Sequence, residues 1–154
     1  MRISSGAGTF TVDLGEIEQA EWRDCLLVFF KTTCPTCQLT WPYLERTYQA
    51  YRGAGLAVWG ISQDGQAAST QFASDYHGTF PILIDADLRV SRGFNPQFVP
   101  TLFLIDPEGK IVERIIAFDK ARLNQLSETV AARLDAPARV IALADDGNPP
   151  FKPG

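Results

Sequence analysis

CLLVFFKTTCPTCQLTWPYLERTYQAY, residues 25–51, carries three local patterns in succession. Its first six residues, CLLVFF (25–30), are continuously apolar with β-branched and aromatic side chains at the centre, as in a strand covered on both faces. KTT then leads into Cys34-Pro35-Thr36-Cys37. From Cys37 onward, Trp41, Leu44, Tyr48 and Tyr51 recur at steps of four, three, four and three, which is one stripe of a helix. Gly53-Ala54-Gly55 ends that helix, because glycine tolerates the backbone needed just past a helix terminus.

A C-x-x-C pair at a strand-to-helix junction brings two sulfurs within one turn, close enough to close a small ring. The free N–H groups and macrodipole of a helix N-terminus stabilise an anion at the first sulfur. Pro35 suits the first helical position, where its missing N–H would have been unpaired anyway. Cys34 is therefore expected to be the exposed, more readily ionised thiol, and Cys37, on the Trp41 and Leu44 stripe, its shielded partner. Two other readings compete. A zinc site needs four ligands, and beyond this pair only Cys25 and His77 are candidates, with no second C-x-x-C or H-x-x-x-H. An inert structural disulfide closing so short a loop would restrict the unfolded chain little. Redox chemistry is the reading to which the pair points.

Outward from this segment, residues 9–14 alternate weakly, as an edge strand would, and residues 16–22 suit a short surface helix. LAVWGI (56–61) reads as a second buried strand, 66–76 as a helix, 81–84 as a short strand and 85–94 as one or two helical turns. VPTLFLI (99–105) is a strand, Asp106-Pro107-Glu108-Gly109 a turn with proline at its second position, and 110–116 a returning strand. Asp119 is placed to cap a helix bearing Leu123, Leu126, Val130 and Leu134 on one side. The order β-α-β-α-β-α followed by β-β-α predicts an α/β fold with a mixed sheet: parallel crossovers first, an antiparallel hairpin last, helices on both faces. RVIALA (139–144) is apolar enough to pack, and 145–154, rich in Pro, Gly and Asn, reads as an extended tail.

The chain has 154 residues, 45% hydrophobic and 21% charged, with a net charge of −4. This is the size and balance of one globular domain, and its sign offers no long-range attraction to nucleic acid or an anionic membrane. No apolar run approaches the roughly 20 residues of a membrane span. The N-terminal MRISSGAGTFTVDL lacks the apolar core of a secretory signal, so the expected location is cytoplasmic as written, or extracytoplasmic had a leader been removed. The remaining singular residues have structural readings: Cys25 a small core hydrophobe, His77 a solvated turn residue, Trp41 and Trp59 core aromatics, Asp85 and Asp87 turn and cap residues.

FFKTTCPTCQLTWPYLE, LAVWGISQD, FPILIDAD and VPTLFLIDPEGKI, in this order and spacing, resemble the thioredoxin superfamily. Within it the chain is most similar to the redoxin branch that holds TlpA- and ResA-like thiol-disulfide oxidoreductases and borders the AhpC/TSA peroxiredoxin group. The resemblance covers about residues 9–134. It implies a thioredoxin-like three-layer α/β/α sandwich with an N-terminal extension, a single domain over 1–154 whose C-terminal extension is 135–154. It also implies Cys34 as attacking thiolate, Cys37 as resolving thiol, and Pro100 as the cis-proline that presents the backbone of Val99 to an extended substrate. Thr33, Pro35 and Thr36 would border that substrate. Pro42 agrees with the family's helix-bending proline.

Three positions depart from the family. Thr33 stands where thioredoxins usually have Trp. The buried carboxylate six residues before the first cysteine falls on Val28, and the alternative acid six residues after it falls on Thr40. No ionisable group is thus placed by the motif to take the Cys37 proton; Glu45 is a conceivable acid without an assignment. The peroxiredoxin pattern P-x-x-x-T/S-x-x-C fails in both registers, giving Leu27 and Lys31 counted back from Cys34, or Phe30 and Cys34 counted back from Cys37. A thiol peroxidase using Thr32, Thr33, Arg89 or Arg92 is the alternative activity, and a metal-binding module the lesser one. The expected function is thiol-disulfide exchange with protein or small-molecule thiols and a redox partner protein, with no metal or organic cofactor implied. The Pro-Thr dipeptide leaves the direction, reductant or oxidant, open.

Overall fold

The apolar run at 25–30 becomes the middle of a five-stranded sheet. In chain order, the computed structural model, which describes all 154 residues, contains β1 (Arg2–Ser5), β2 (Gly8–Thr11), α1 (Glu16–Gln19), β3 (Asp24–Phe30), α2 (Pro35–Tyr51), a 3-10 turn (Arg52–Ala54), β4 (Leu56–Ser62) and α3 (Gln66–Asp75). These are followed by β5 (Ile82–Ile84), α4 (Arg89–Phe94), β6 (Thr101–Ile105), β7 (Ile111–Ile116), β8 (Phe118–Asp119), α5 (Lys120–Leu134) and β9 (Phe151–Lys152). The sheet order is β5-β4-β3-β6-β7. β3 runs parallel to β4 and antiparallel to β6, so Cys25 lies opposite Ala57 on one side and Ile105 on the other. β4–β5 is parallel and β6–β7 antiparallel. This is the mixed sheet that the element order predicts.

Every residue of β3 is buried, and the pleat divides them by parity. Leu26, Val28 and Phe30 join a core with Trp41 and Leu44 of α2, Phe72 of α3 and Leu123, Leu126 and Val130 of α5. Cys25, Leu27 and Phe29 face the opposite layer, with Ile17 of α1 and Val90 and Phe94 of α4. Helices thus cover both faces, giving the three layers of the thioredoxin-like fold.

The caps follow from short polar side chains. Asp119 accepts from the Arg122 N–H at 3.1 Å, as expected of an N-cap. Asp85, buried, accepts from Val90 N at 3.1 Å and Ser91 N at 2.8 Å, which satisfies two free donors at the start of α4. Asp87 binds the Arg89 guanidinium at 2.7 Å. Both aspartates therefore act in turn and cap, as read from the sequence.

Three expectations need correction. The edge strand expected at 9–14 is shorter and lies elsewhere than in the central sheet: β2 ends at Thr11 and pairs with β1 in a separate hairpin, tied to the sheet side by one bridge, Ser4 to Lys110. β1 itself, with only Ile3 buried, carries too few apolar residues to show periodicity. Trp59 packs against the core on the Cys25 face of the sheet but is only half-buried, its outer side lining an open depression with Glu16 and Ile82. The segment 145–154, expected as an extended tail, is tied to the fold at several points although most of its residues stay exposed. Asp146 forms an ion pair with Lys120 Nζ at 2.6 Å, the side chains being 14% and 7% exposed. Lys120 Nζ also donates to Leu143 O and Asn148 O, Tyr43 donates to Asp146, and β9 pairs antiparallel with β8.

Candidate active site

Cys34 is the N-cap of α2 and Pro35 its first helical residue. The Cys37 N–H donates to Cys34 Sγ at 3.1 Å, so a free donor of the first turn points at the sulfur. Cys34 Sγ in turn lies 3.6 Å from Val99 O, as donor to it, and the Val99–Pro100 peptide is cis. The structure therefore brings Cys34, Cys37 and Val99-Pro100 together, from the β3–α2 junction and the start of β6. Cys34 is partly exposed and Cys37 fully buried, and all three cysteines are free thiols.

Burial is the main reason that the Cys37 thiol is pushed far above its ordinary range; its hydrogen bond with Cys34 adds to this, and the backbone amide of Lys31 opposes it. None of the principal causes of that shift is a carboxylate. Thr40 uses its hydroxyl on Thr36 O at 2.7 Å. Glu45 accepts from the Thr79 N–H at 2.8 Å and from its hydroxyl, and is engaged with that loop.

Cys25 is on the far face of β3, its thiol also pushed up by burial and by Asp24. As the second residue of β3, and at about 3.3 Å per strand residue, it lies about 16 Å from the end that carries the C-x-x-C loop. His77 is exposed with a positive φ of 61°, a turn residue. No group of three or more His, Cys, Asp or Glu side chains converges in the molecule.

Thr33 and Pro35 are exposed beside Cys34, whereas Thr36 is buried, its hydroxyl donating to Pro153 O at 2.6 Å. Two contributors escaped the sequence reading. Asp64, after β4, accepts from the Thr32 N–H at 2.7 Å and its hydroxyl at 2.9 Å, pinning the loop that enters the motif; Gln38 Nε2 holds Thr32 O from the other side at 3.2 Å. The second is Gly154: a Cβ placed there would overlap the Val99 carbonyl oxygen and lie 3.0 Å from its carbon. Neither has a local signature, since the contacts join residues 32 and 55 or more positions apart in the chain.

A mixed sheet of this order, with C-x-x-C at the N-terminus of the helix after its central strand, defines a thioredoxin-like protein. Solved structures bear out the fold: a putative thiol:disulfide interchange protein DsbE from Chlorobium tepidum superposes with a TM-score of 0.70 at 20% identity, covering 87% of this chain and 92% of that one. StoA from Bacillus subtilis gives 0.61 at 23% identity over 71% and 83%. The chain belongs to the AhpC/TSA family, whose model matches residues 7–114. Among curated relatives, the thiol-disulfide oxidoreductase ResA of Bacillus cereus is 31% identical over 122 residues, 75% of this chain and 70% of that protein. ResA of Bacillus subtilis is 28% identical over 99 residues, 64% and 55%. No helix is long and apolar enough to cross a membrane.

Proposed function

We propose that the chain is a thiol-disulfide oxidoreductase in which Cys34 and Cys37 exchange a dithiol for a disulfide. The observation that carries this reading is the placement of Cys34 Sγ at the N-terminus of α2, partly exposed and facing an N–H donor, with Cys37 buried one turn behind. In the reducing direction the Cys34 thiolate attacks a substrate disulfide, making a mixed disulfide and releasing one substrate thiolate. Cys37, losing its proton, then attacks Cys34 Sγ; the Cys34–Cys37 bond forms, the mixed disulfide breaks, and the second thiol leaves. Two electrons pass from the dithiol to the substrate, and the reverse sequence oxidises a dithiol. The exposed surface of Thr33 and Pro35, with the backbone of Val99 and Pro100, borders the bound substrate. ResA-named relatives support this assignment.

Substrates are protein or small-molecule disulfides and thiols, with a second redox protein to restore the resting state. The reduction potential fixes direction and compartment: a low value suits a reductant working in the cytoplasm, a high one an oxidant outside it, and each 30 mV is worth about 1.4 kcal/mol. The test is a pair of variants. Cys37→Ser is expected to accumulate covalent adducts at Cys34 that dithiothreitol releases, and Cys34→Ser to abolish reduction of insulin disulfides. Peroxide consumption that depends on Cys34, with no disulfide exchange, would assign the chain to the thiol peroxidases.

A further inference from the structure

Residues 151–154 lie against the backbone that an extended substrate would use. The anchoring of segment 145–154 is stepwise: Asp146 to buried Lys120 and Tyr43, the Lys120 N–H to Pro150 O at 3.0 Å, Phe151–Lys152 paired with Phe118–Asp119, and Pro153 O accepting from Thr36 inside the C-x-x-C motif. Gly154 then lies on the Val99 backbone, too close for any side chain. Val99 O is the atom that Cys34 Sγ also faces. Residues flanking a substrate cysteine must pass through this space to pair with the Val99 main chain.

We infer that residues 151–154 are an intramolecular competitor for extended substrates: the strap fills the place of a substrate backbone beside Cys34 and must lift before a protein disulfide docks. The inference rests on the exchange chemistry proposed above. Its root, Asp146 on Lys120, is an ion pair largely covered by protein, whereas Phe151 is more than half exposed and β9 is two residues long. The distal part can therefore peel away from a fixed root. A small disulfide that needs only Cys34 Sγ is not hindered in the same way, so the strap selects substrate size.

Deleting residues 151–154 leaves the Lys120–Asp146–Tyr43 cluster intact. The variant is expected to reduce a protein disulfide such as insulin faster by roughly tenfold, because an apparent affinity is scaled by the fraction of binding-competent molecules, while hydroxyethyl disulfide reacts within about twofold of the parent. Equal rates for both substrates, or a slower insulin reaction, overturn the inference. The full chain supplies a second measurement. In Cys37→Ser, a mixed disulfide of Cys34 with a cysteine peptide extended on both sides should speed hydrogen exchange at the Phe118 and Lys152 amides, the hydrogen-bonded pair of β8 and β9, and the adduct of 2-mercaptoethanol should not. Unchanged protection with the peptide adduct overturns it. Failure of Cys34 to form either adduct overturns it at the level of the chemistry, a result that the other outcomes cannot imitate.

Discussion

Cys34 and Cys37 are the same side chain one helical turn apart, and their surroundings separate them. Burial, the largest effect, holds the Cys37 proton tightly and does not depend on a free Cys34 thiol, so in the proposed exchange deprotonation should limit the step in which Cys37 attacks the mixed disulfide. With the mixed disulfide preformed, its rate is expected to rise about tenfold per pH unit between about pH 6 and 9, as the thiolate fraction of a thiol below its pKa does; a flat profile by stopped-flow would reveal a hidden base. The same raised pKa bears on stability. The unfolded chain releases this proton near the ordinary thiol value, about 8.5, before the folded one does, so the reduced protein loses stability as pH rises above that value. The pair itself was legible in the sequence because C-x-x-C chemistry is local. Asp64 was not: its carboxylate meets Thr32 across 32 positions, and nothing near it in the chain marks it.

At the scale of elements, α2 shows how a hydrophobic pattern can report half a helix. The stripe Trp41, Leu44, Tyr48, Tyr51 was visible. A second buried stripe, Thr36, Thr40, Tyr43, Thr47, has the same steps of four, three and four but polar side chains. Thr40 and Thr47 can be buried because their hydroxyls donate to carbonyls four residues back, Thr36 O and Tyr43 O. Thr36 and Tyr43 instead meet the C-terminal segment. The two aspartate caps are legible in the sequence, since a cap is a short-range pattern. Asp85→Ala should remove both bonds to the first turn of α4 and cost about 1 to 2 kcal/mol, measured as a shift of the urea midpoint at constant slope.

For the whole molecule, the C-terminal segment depends on one cluster. The Lys120 ammonium, first, and the Tyr43 hydroxyl hold the Asp146 carboxyl below the ordinary carboxylate range. A carboxyl whose pKa is lowered by folding stabilises the folded state fully above its unfolded value, about 3.9; that contribution begins to fall as pH drops below about 3.9 and is gone only below the depressed folded value. The parent should therefore lose more stability than Asp146→Asn between pH 7 and pH 3, with the two denaturation midpoints converging in acid; parallel curves would contradict the role of the pair. The sequence by itself determined the order of elements, the layers of the sandwich and the two sulfurs, because buried strands, amphipathic stripes, caps and C-x-x-C are written within a few residues of each other. Only the tertiary structure decided what lies against those sulfurs. Pro153 on Thr36 spans 117 positions, and a backbone-to-backbone approach such as Gly154 on Val99 has no side chain to announce it.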